Sequence, residues 1–281
     1  MPVTVQELKP RATQLELEGV TASQVNAVRR TLLADVPKLA IEDVEFHLGP
    51  IRDEGTGKDY DSSTSMFDEA VALRLGLLPI PTDLSEFRKK SECTCAGAGC
   101  SHCQVMFSVD KKGPCTVYAK DVVPLGDATL AILEPDVPIV RLGARQALLA
   151  YATAVVGTAR EHAKWQVAHG VGMFPRPHVK IARKEGCTDA CQKRTAASCP
   201  VNILEFANGK LSVTDETKCI DCGACEKTCE HGSIHIEPDT ERFFLRFETD
   251  GSLTTREALR FALKDLKRRF EEAREAIQAI P

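Results

Sequence analysis

Aromatic residues are scarce, at 5% of the 281 residues, with three tyrosines and one tryptophan. A platform that stacks nucleobases needs several exposed rings, so a single-strand binder of that kind is excluded. An excess of positive charge is also missing: 36 Lys and Arg stand against 40 Asp and Glu, a formal net charge of −4. That balance argues against a protein that wraps nucleic acid with most of its own surface. No apolar run approaches the roughly 20 residues needed to cross a bilayer, and the start of the chain has no basic-then-apolar leader. The expected location is the cytoplasm. There is no Walker loop, nucleophile elbow or Asp-rich metal-binding run. His162, Lys164 and Trp165 lie close in sequence but have no carboxylate or nucleophile at a telling spacing. They read as structural, as do His169, His178, His231 and His235, and no catalytic residue is assigned. The length has room for two or three domains, and contents of 43% apolar and 27% charged residues are ordinary for a globular protein.

Cysteine, by contrast, is plentiful. Eleven of the 12 fall in two groups, and Cys115 stands apart as a small buried hydrophobe. Their spacing is that of metal ligands in a reducing compartment rather than of disulfides. The densest run, Cys219-Ile220-Asp221-Cys222-Gly223-Ala224-Cys225-Glu226-Lys227-Thr228-Cys229, has C-x2-C-x2-C-x3-C spacing. Three of its thiols reach three corners of a cubic iron–sulfur cluster, and the fourth usually turns to another cluster. The missing ligand is then Cys199, which precedes Pro200. Between them, Ile203–Phe206 and Lys210–Thr214 flank Asn208-Gly209 and predict a hairpin. A Cys-Pro, a hairpin and this run, in that order, resemble a bacterial-type ferredoxin domain over about 183–240, with Cys199, Cys219, Cys222 and Cys225 holding a 4Fe-4S cluster. A zinc knuckle or a chance clump of thiols is the alternative.

The other half of the ferredoxin pattern is degenerate. Positions 189, 192 and 195, where thiols would fall, hold Asp189, Gln192 and Thr195, and Glu230 replaces the usual proline after the last cysteine. Cys187, Cys191 and Cys229 remain. They suit a second cluster of three irons, one of four irons completed by a ligand such as Asp189, no metal at all, or a disulfide formed in air.

A second thiol group, Cys93, Cys95, Cys100 and Cys103, packs four soft ligands into eleven residues, with Gly97 and Gly99 free to fold the backbone round an ion. This suits a tetrahedral structural zinc, with free thiols as the alternative and His102 as a bystander. Four ligands fill the tetrahedron and leave no position open for chemistry.

Hydrophobic periodicity supplies the rest. Residues 3–19 alternate as a hairpin. A helix follows, capped by Thr21 with Gln24 and ending before Pro37. A second helix is expected from a Ser65 cap to a left-handed Gly76. Strands are expected at Val117–Val123, Thr129–Leu133 and around Phe243, Leu245 and Phe247, whereas the Ala, Leu and Tyr of Gln146–Val156 fit either a helix or a strand. A last helix opens on Thr254 with Glu257 three residues on. Leu259, Leu263, Leu266, Phe270, Ala273 and Ile277 then step by 4, 3, 4, 3, 4, a seam suited to a partner helix.

Four passages carry a further resemblance. They are Asn26-Ala27-Val28-Arg29-Arg30-Thr31-Leu32-Leu33-Ala34-Asp35-Val36-Pro37; Ser65-Met66-Phe67-Asp68-Glu69 with Leu73-Arg74-Leu75-Gly76-Leu77-Leu78-Pro79-Ile80-Pro81; Arg160-Glu161-His162-Ala163-Lys164-Trp165-Gln166; and Glu248-Thr249-Asp250-Gly251-Ser252-Leu253. In this order they resemble a family of assembly subunits of DNA-dependent RNA polymerase, shared by archaea, by eukaryotes as the third-largest subunit, and by bacteria as the alpha chain. The resemblance implies an α+β fold, with a strand over Gln146–Val156, a discontinuous dimerisation domain (1–45, 144–182 and 241–281), an inserted mostly-β domain with the zinc-type loop (46–143) and the ferredoxin-like iron–sulfur domain (183–240). Relatives carry a loop of C-x-C-x3-C-x2-C spacing, one residue shorter than the one here. The family implies a heterodimer with subunit L, then assembly of subunits N and P and the large catalytic subunits, which perform nucleotidyl transfer. Arg29 and Arg30 are expected to face large subunits, and Leu259, Leu263, Leu266 and Phe270 to form the dimer seam. Two other classes compete. A ferredoxin-type electron-transfer protein shares the cysteine run, which spans only about a fifth of the chain and has no flavin or nicotinamide fingerprint beside it. A DNA-binding regulator would need a basic recognition helix, whereas the terminal helix balances its bases with acids.

Overall fold

The computed structural model of the protein describes residues 2–280. The elements run β1 (Val3–Leu8), β2 (Ala12–Glu18), α1 (Ala22–Ala34), β3 (Lys38–Phe46), β4 (Pro50–Arg52), β5 (Asp59–Asp61), α2 (Asp68–Gly76), β6 (Gln104–Lys112), β7 (Cys115–Tyr118) and β8 (Val123–Pro124). They continue with β9 (Pro138–Leu142), β10 (Ala147–Gly157), β11 (Ala168–Ile181), α3 (Asp189–Ala197), β12 (Leu204–Ala207), β13 (Lys210–Val213), α4 (Ala224–Thr228), β14 (Ile234–Thr249) and α5 (Thr255–Gln278). No helix among the described residues is long and apolar enough to cross a membrane.

The chain forms two compact units. The larger contains Glu7–Thr13, Ala27–Val171 and the residues from Arg246 on; the smaller contains the residues up to Gln6, Gln14–Asn26 and Gly172–Leu245. In the larger unit, β10 is the inner strand of an antiparallel sheet of order β3-β10-β6-β8. Its even positions Leu148, Ala150, Ala152 and Ala154 are buried, and Tyr151 faces the other way, exposed, the alternation of a half-buried strand. The buried face meets Phe107 and Val109 of β6, Val71 and Leu75 of α2, and Val117, Ile139 and Leu142 of the β7–β9 pair, which together form the main core. Leu75, Phe107 and Ile139 are fully enclosed.

The turn after β10 depends on one glycine. A Cβ at Gly157 would lie 2.4 Å from the Trp165 ring, while the indole nitrogen donates to the Val155 carbonyl at 3.1 Å. We expect Gly157→Ala to destabilise the larger unit by about 1–3 kcal/mol, the usual cost of overpacking. Thermal unfolding would check this, and an unchanged midpoint would show that the indole moves freely.

The same turn places Arg160 on Asp35, a 5% exposed carboxylate just beyond α1 that also receives Arg269 of α5 at 3.0 Å. Burial alone would push the Asp35 carboxyl up, but the Arg160 hydrogen bond and the charges of Arg269 and Arg160 outweigh it and hold the carboxyl below its usual range. A depressed folded value contributes stability above the unfolded value of about 3.9, and that contribution is lost as pH falls through the lower folded value. In acid titrations from pH 5 downward, Asp35→Asn should therefore show a shallower loss of stability than the wild type. Parallel curves would contradict the assignment.

In the smaller unit, the β12–β13 hairpin turns on Asn208 and Gly209, with φ of 52° and 73°. Two successive left-handed residues are what a type I′ turn needs. Ile203, Leu204, Leu211, Ile234 and Ile236 form its core together with Cys199, Cys225 and Cys229. This unit also holds most of a sheet of order β1-β2-β14-β11, in which the buried Glu16 is neutralised by Arg176 at 2.6 Å and accepts a hydrogen bond from the Gln6 side-chain amide at 3.1 Å, as a buried charge requires.

Three expected elements differ. The strand expected at Val117–Val123 is broken: β7 ends at Tyr118, a 3-10 turn takes Ala119–Asp121 with the Asp121 carboxylate accepting the Tyr118 amide at 2.9 Å, and β8 begins only at Val123. Helix α2 starts at Asp68 with Phe67 at its cap, because the Ser65 hydroxyl donates instead to the Arg141 carbonyl. Gly76 is not left-handed; a Cβ there would lie 3.3 Å from the Ile41 carbonyl, so close approach rather than φ explains the residue. The strand expected at Thr129–Leu133 is a 3-10 turn over Ala128–Leu130, nucleated by Asp127, whose side chain accepts the Thr129 amide.

Candidate functional site

In the smaller unit the chain returns from the hairpin through a turn capped by Asp215 to Cys219. Asp221 and Gly223, with φ of 50° and 66°, then curl it so that α4 carries Cys225 inward. Cys199, Cys219, Cys222 and Cys225 line one pocket, and the rest of its wall is apolar: Val179, Val201, Ile203, Leu204, Ile220 and Ile236. Cys199 and Cys225 are buried, Cys219 is half-buried and Cys222 is exposed. Burial pushes the Cys219 and Cys225 thiols up, and a bound cation would favour their thiolate forms. Four sulfurs in a largely apolar cradle suit an iron–sulfur cluster. A cluster several atoms across also sets its thiolates further apart than a single ion does. Among the described residues, the one group of at least three ligand side chains that brings its ligand atoms within 4.8 Å of one another lies elsewhere, in the larger unit.

Next to this pocket, Cys187, Cys191 and Cys229 are all buried. Thr188 caps α3 by accepting the Cys191 amide at 3.2 Å. Burial, followed by the neighbouring Cys187, pushes the Cys191 thiol up. At Cys229 burial acts in the same direction, but amide hydrogen bonds from Ser233, His231 and Ile234 outweigh it and hold that thiol down. Asp189, weighed above as a fourth ligand, is instead exposed and paired with Arg183 at 3.0 Å. A buried polar side chain beside these thiols is Gln192, whose nitrogen donates to the Cys187 sulfur at 3.7 Å and whose oxygen has no partner. The sequence carried one signal for it: Gln192 and Thr195, both buried, occupy the positions where a second C-x2-C-x2-C run would place thiols.

The larger unit's group is Cys93, Cys95, Cys100 and Cys103. Sulfur separations are 3.5 Å for Cys93–Cys100, 3.6 Å for Cys95–Cys103 and 3.9 Å for Cys100–Cys103. A sulfur tetrahedron around zinc at about 2.3 Å has edges of about 3.8 Å. The loop closes through left-handed Ala96, Gly97 and Gly99. The Cys93 side chain and the Gly99 amide hold the Cys95 thiol down to about 6, whereas burial pushes Cys103 up to about 11. The group therefore has one thiolate ready for a cation and one that only a cation would release. His102 is exposed and outside the thiol group.

Helix α5 opens on the expected box: the Thr254 hydroxyl accepts the Glu257 amide at 3.3 Å, and the Glu257 carboxylate accepts the Thr254 amide at 2.9 Å. Its small side chains Thr255, Ala258 and Ala262 are buried against the larger unit. The large apolar ones are not. Leu259 and Leu266 are half-buried, and Leu263, Phe270 and Ile277 are 46%, 69% and 67% exposed. The seam read from the sequence is thus a face that its own chain leaves bare. Of the two arginines on α1, Arg29 donates to the Val171 carbonyl at 3.0 Å, and Arg30 is exposed.

Comparison with known proteins covers almost the whole chain. The family described as the RNA polymerase Rpb3/Rpb11 dimerisation domain matches residues 14–270. The chain is similar to the DNA-directed RNA polymerase subunit Rpo3 of Thermoplasma volcanium, 43% identical over 270 residues, which are 96% of this chain and 97% of that protein. It is also similar to the subunits of the same name from Picrophilus torridus, 39% identical over 272 residues (96% and 97%), and Methanosarcina acetivorans, 34% identical over 275 residues (97% and 96%).

Proposed function

The chain belongs to the RNA polymerase Rpb3/Rpb11 dimerisation family, and on that basis we propose which surfaces and metals serve its work as an assembly subunit of an archaeal polymerase. The electron-transfer alternative is set aside, since the match runs over residues 14–270 rather than over the cysteine-rich segment alone. The partner is subunit L, received by the seam Leu259, Leu263, Leu266 and Phe270. Subunits N and P and the large catalytic subunits join that pair, and Arg30, with Arg29 beside it, faces a large subunit. The dimerisation domain comprises 1–45, 144–182 and 241–281, with 46–143 and 183–240 as its insertions.

The observation that carries this reading is the bare seam on α5: an apolar ridge beside a face already packed on its own unit is what a second helix would cover. Hydrogen exchange tests it. On adding subunit L, amides of 259–277 should slow, and unchanged exchange would contradict the reading.

The metals fit the same purpose. Cys199, Cys219, Cys222 and Cys225 would hold a 4Fe-4S cluster, and Cys93, Cys95, Cys100 and Cys103 a zinc. Cys187, Cys191 and Cys229 would hold a smaller second cluster. Thiolate–metal bonds add free energy only to the folded form, so each site braces the fold that presents the interface. Cys103→Ser should lower zinc from one per chain to under about a tenth, read by elemental analysis of the anaerobically purified protein. Full zinc in that variant would remove the assignment.

A further inference from the structure

We infer that Asp35 is a positioning residue for dimerisation, receiving Arg160 and Arg269 together and so setting the direction in which α5 carries its exposed seam. This rests on the reading of α5 as the partner helix. Asp35 lies at the C-terminal end of α1, where the helix's own partial negative charge disfavours an acid, and its side chain is 5% exposed. Neither circumstance suits a carboxylate unless cations are brought to it.

Two arrive, from distant parts of the chain. Arg160 binds both carboxylate oxygens, its Nη2 lying 3.2 Å from Oδ2, and its backbone amide donates to the Ala34 carbonyl at 3.2 Å. The fork therefore closes the end of α1 as well as holding the acid. Arg269 comes from α5, with Nη2 3.0 Å from Asp35 Oδ2 and 2.6 Å from Asp265 Oδ2. Asp265 is 8% exposed and is also held by Arg268 at 2.6 Å.

The place of this network along α5 gives it a role beyond ordinary ion pairing. Before it, α5 packs inward through Thr255, Ala258 and Ala262, small side chains that leave a helix free to roll or slide. Beyond Phe270 every described residue of α5 is exposed. The last part of the helix, with Phe270 and Ile277, extends from this point for about 12 Å at 1.5 Å per residue. A small rotation at Arg269 is magnified along that length. The two-point grip of Arg160 fixes the Asp35 carboxylate, and Arg269 Nη2, held between Asp35 and Asp265, ties α5 to that fixed point, so the network sets where the apolar ridge meets its partner.

The test measures binding of purified subunit L to the full chain by calorimetry for wild type, Asp35→Asn, Arg269→Gln and the double variant, with hydrogen exchange of each free chain as the check on folding. The expected result is a loss of at least about tenfold in affinity for each single variant, with protection of 255–262 retained. The double variant should be no weaker than the weaker single, because both remove one shared contact. Wild-type affinity in both single variants overturns the inference, as do losses that simply add. Should Asp35→Asn fail to fold, Arg269→Gln, whose side chain is 40% exposed, decides alone. If the wild-type chain itself does not bind subunit L, the reading of α5 fails and takes the inference with it, an outcome distinct from binding that the variants leave intact.

Discussion

With Leu263 and Phe270 both changed to glutamate, the chain should lose subunit L by about two orders of magnitude or more while its own stability stays nearly constant. Both side chains are exposed in the free protein, at 46% and 69%, so nothing in the chain's own core is removed. Covering a leucine and a phenylalanine is worth about 1.5–3 kcal/mol each, and about 1.4 kcal/mol is a factor of ten in affinity. Desolvating the two new carboxylates adds to the loss. Glutamate also keeps helix propensity high, which separates the interface effect from unwinding of α5. The measurements are the dissociation constant with subunit L and the unfolding midpoint of the free chain. Retained affinity would move the interface off this face.

Cys222→Ser is the second substitution with a large expected effect: loss of the cluster, with opening confined mainly to 183–240 and weaker assembly with subunit L. The choice of thiol matters. Cys225 belongs to the apolar core of the smaller unit, so replacing it would damage packing and ligation together. Cys222 is exposed, and a serine there removes the ligand and little else. Structural zinc in small domains contributes roughly 10–16 kcal/mol. Losing a tenth of such a sum speeds exchange about tenfold in the amides that the metal protects. Iron and sulfide counts, hydrogen exchange and a pull-down with subunit L read the three consequences. Unaltered protection and full partner binding in a cluster-free variant would rule out a bracing role.

What could be read from the sequence was local. The Thr21 and Thr254 capping boxes, the Asn208-Gly209 hairpin and the alternation in β14 each depend on residues a few positions apart, and each stands where the pattern put it. The thiol groups were legible for the same reason, since ligand spacing is a short-range property. Features decided by distant contacts were not. Ser65 gave up its cap to a carbonyl 76 residues away. Thr129–Leu133, β-branched enough for a strand, was overruled by the Asp127 side chain. Gln192 looked like an absent cysteine until α3 buried it among thiols. The Asp35–Arg269 contact joins the end of α1 to α5, and no periodicity announces it. Its one trace in the sequence is an acid at the wrong end of a helix.

The central claim is that this chain holds polymerase subunits together. Reconstitution from separately purified archaeal polymerase subunits tests it most directly, with this chain included or omitted and RNA synthesis on a primed template as the readout. The account predicts synthesis only when the chain is present together with subunit L and the large subunits, and none from the chain alone. Full synthesis in its absence would contradict it.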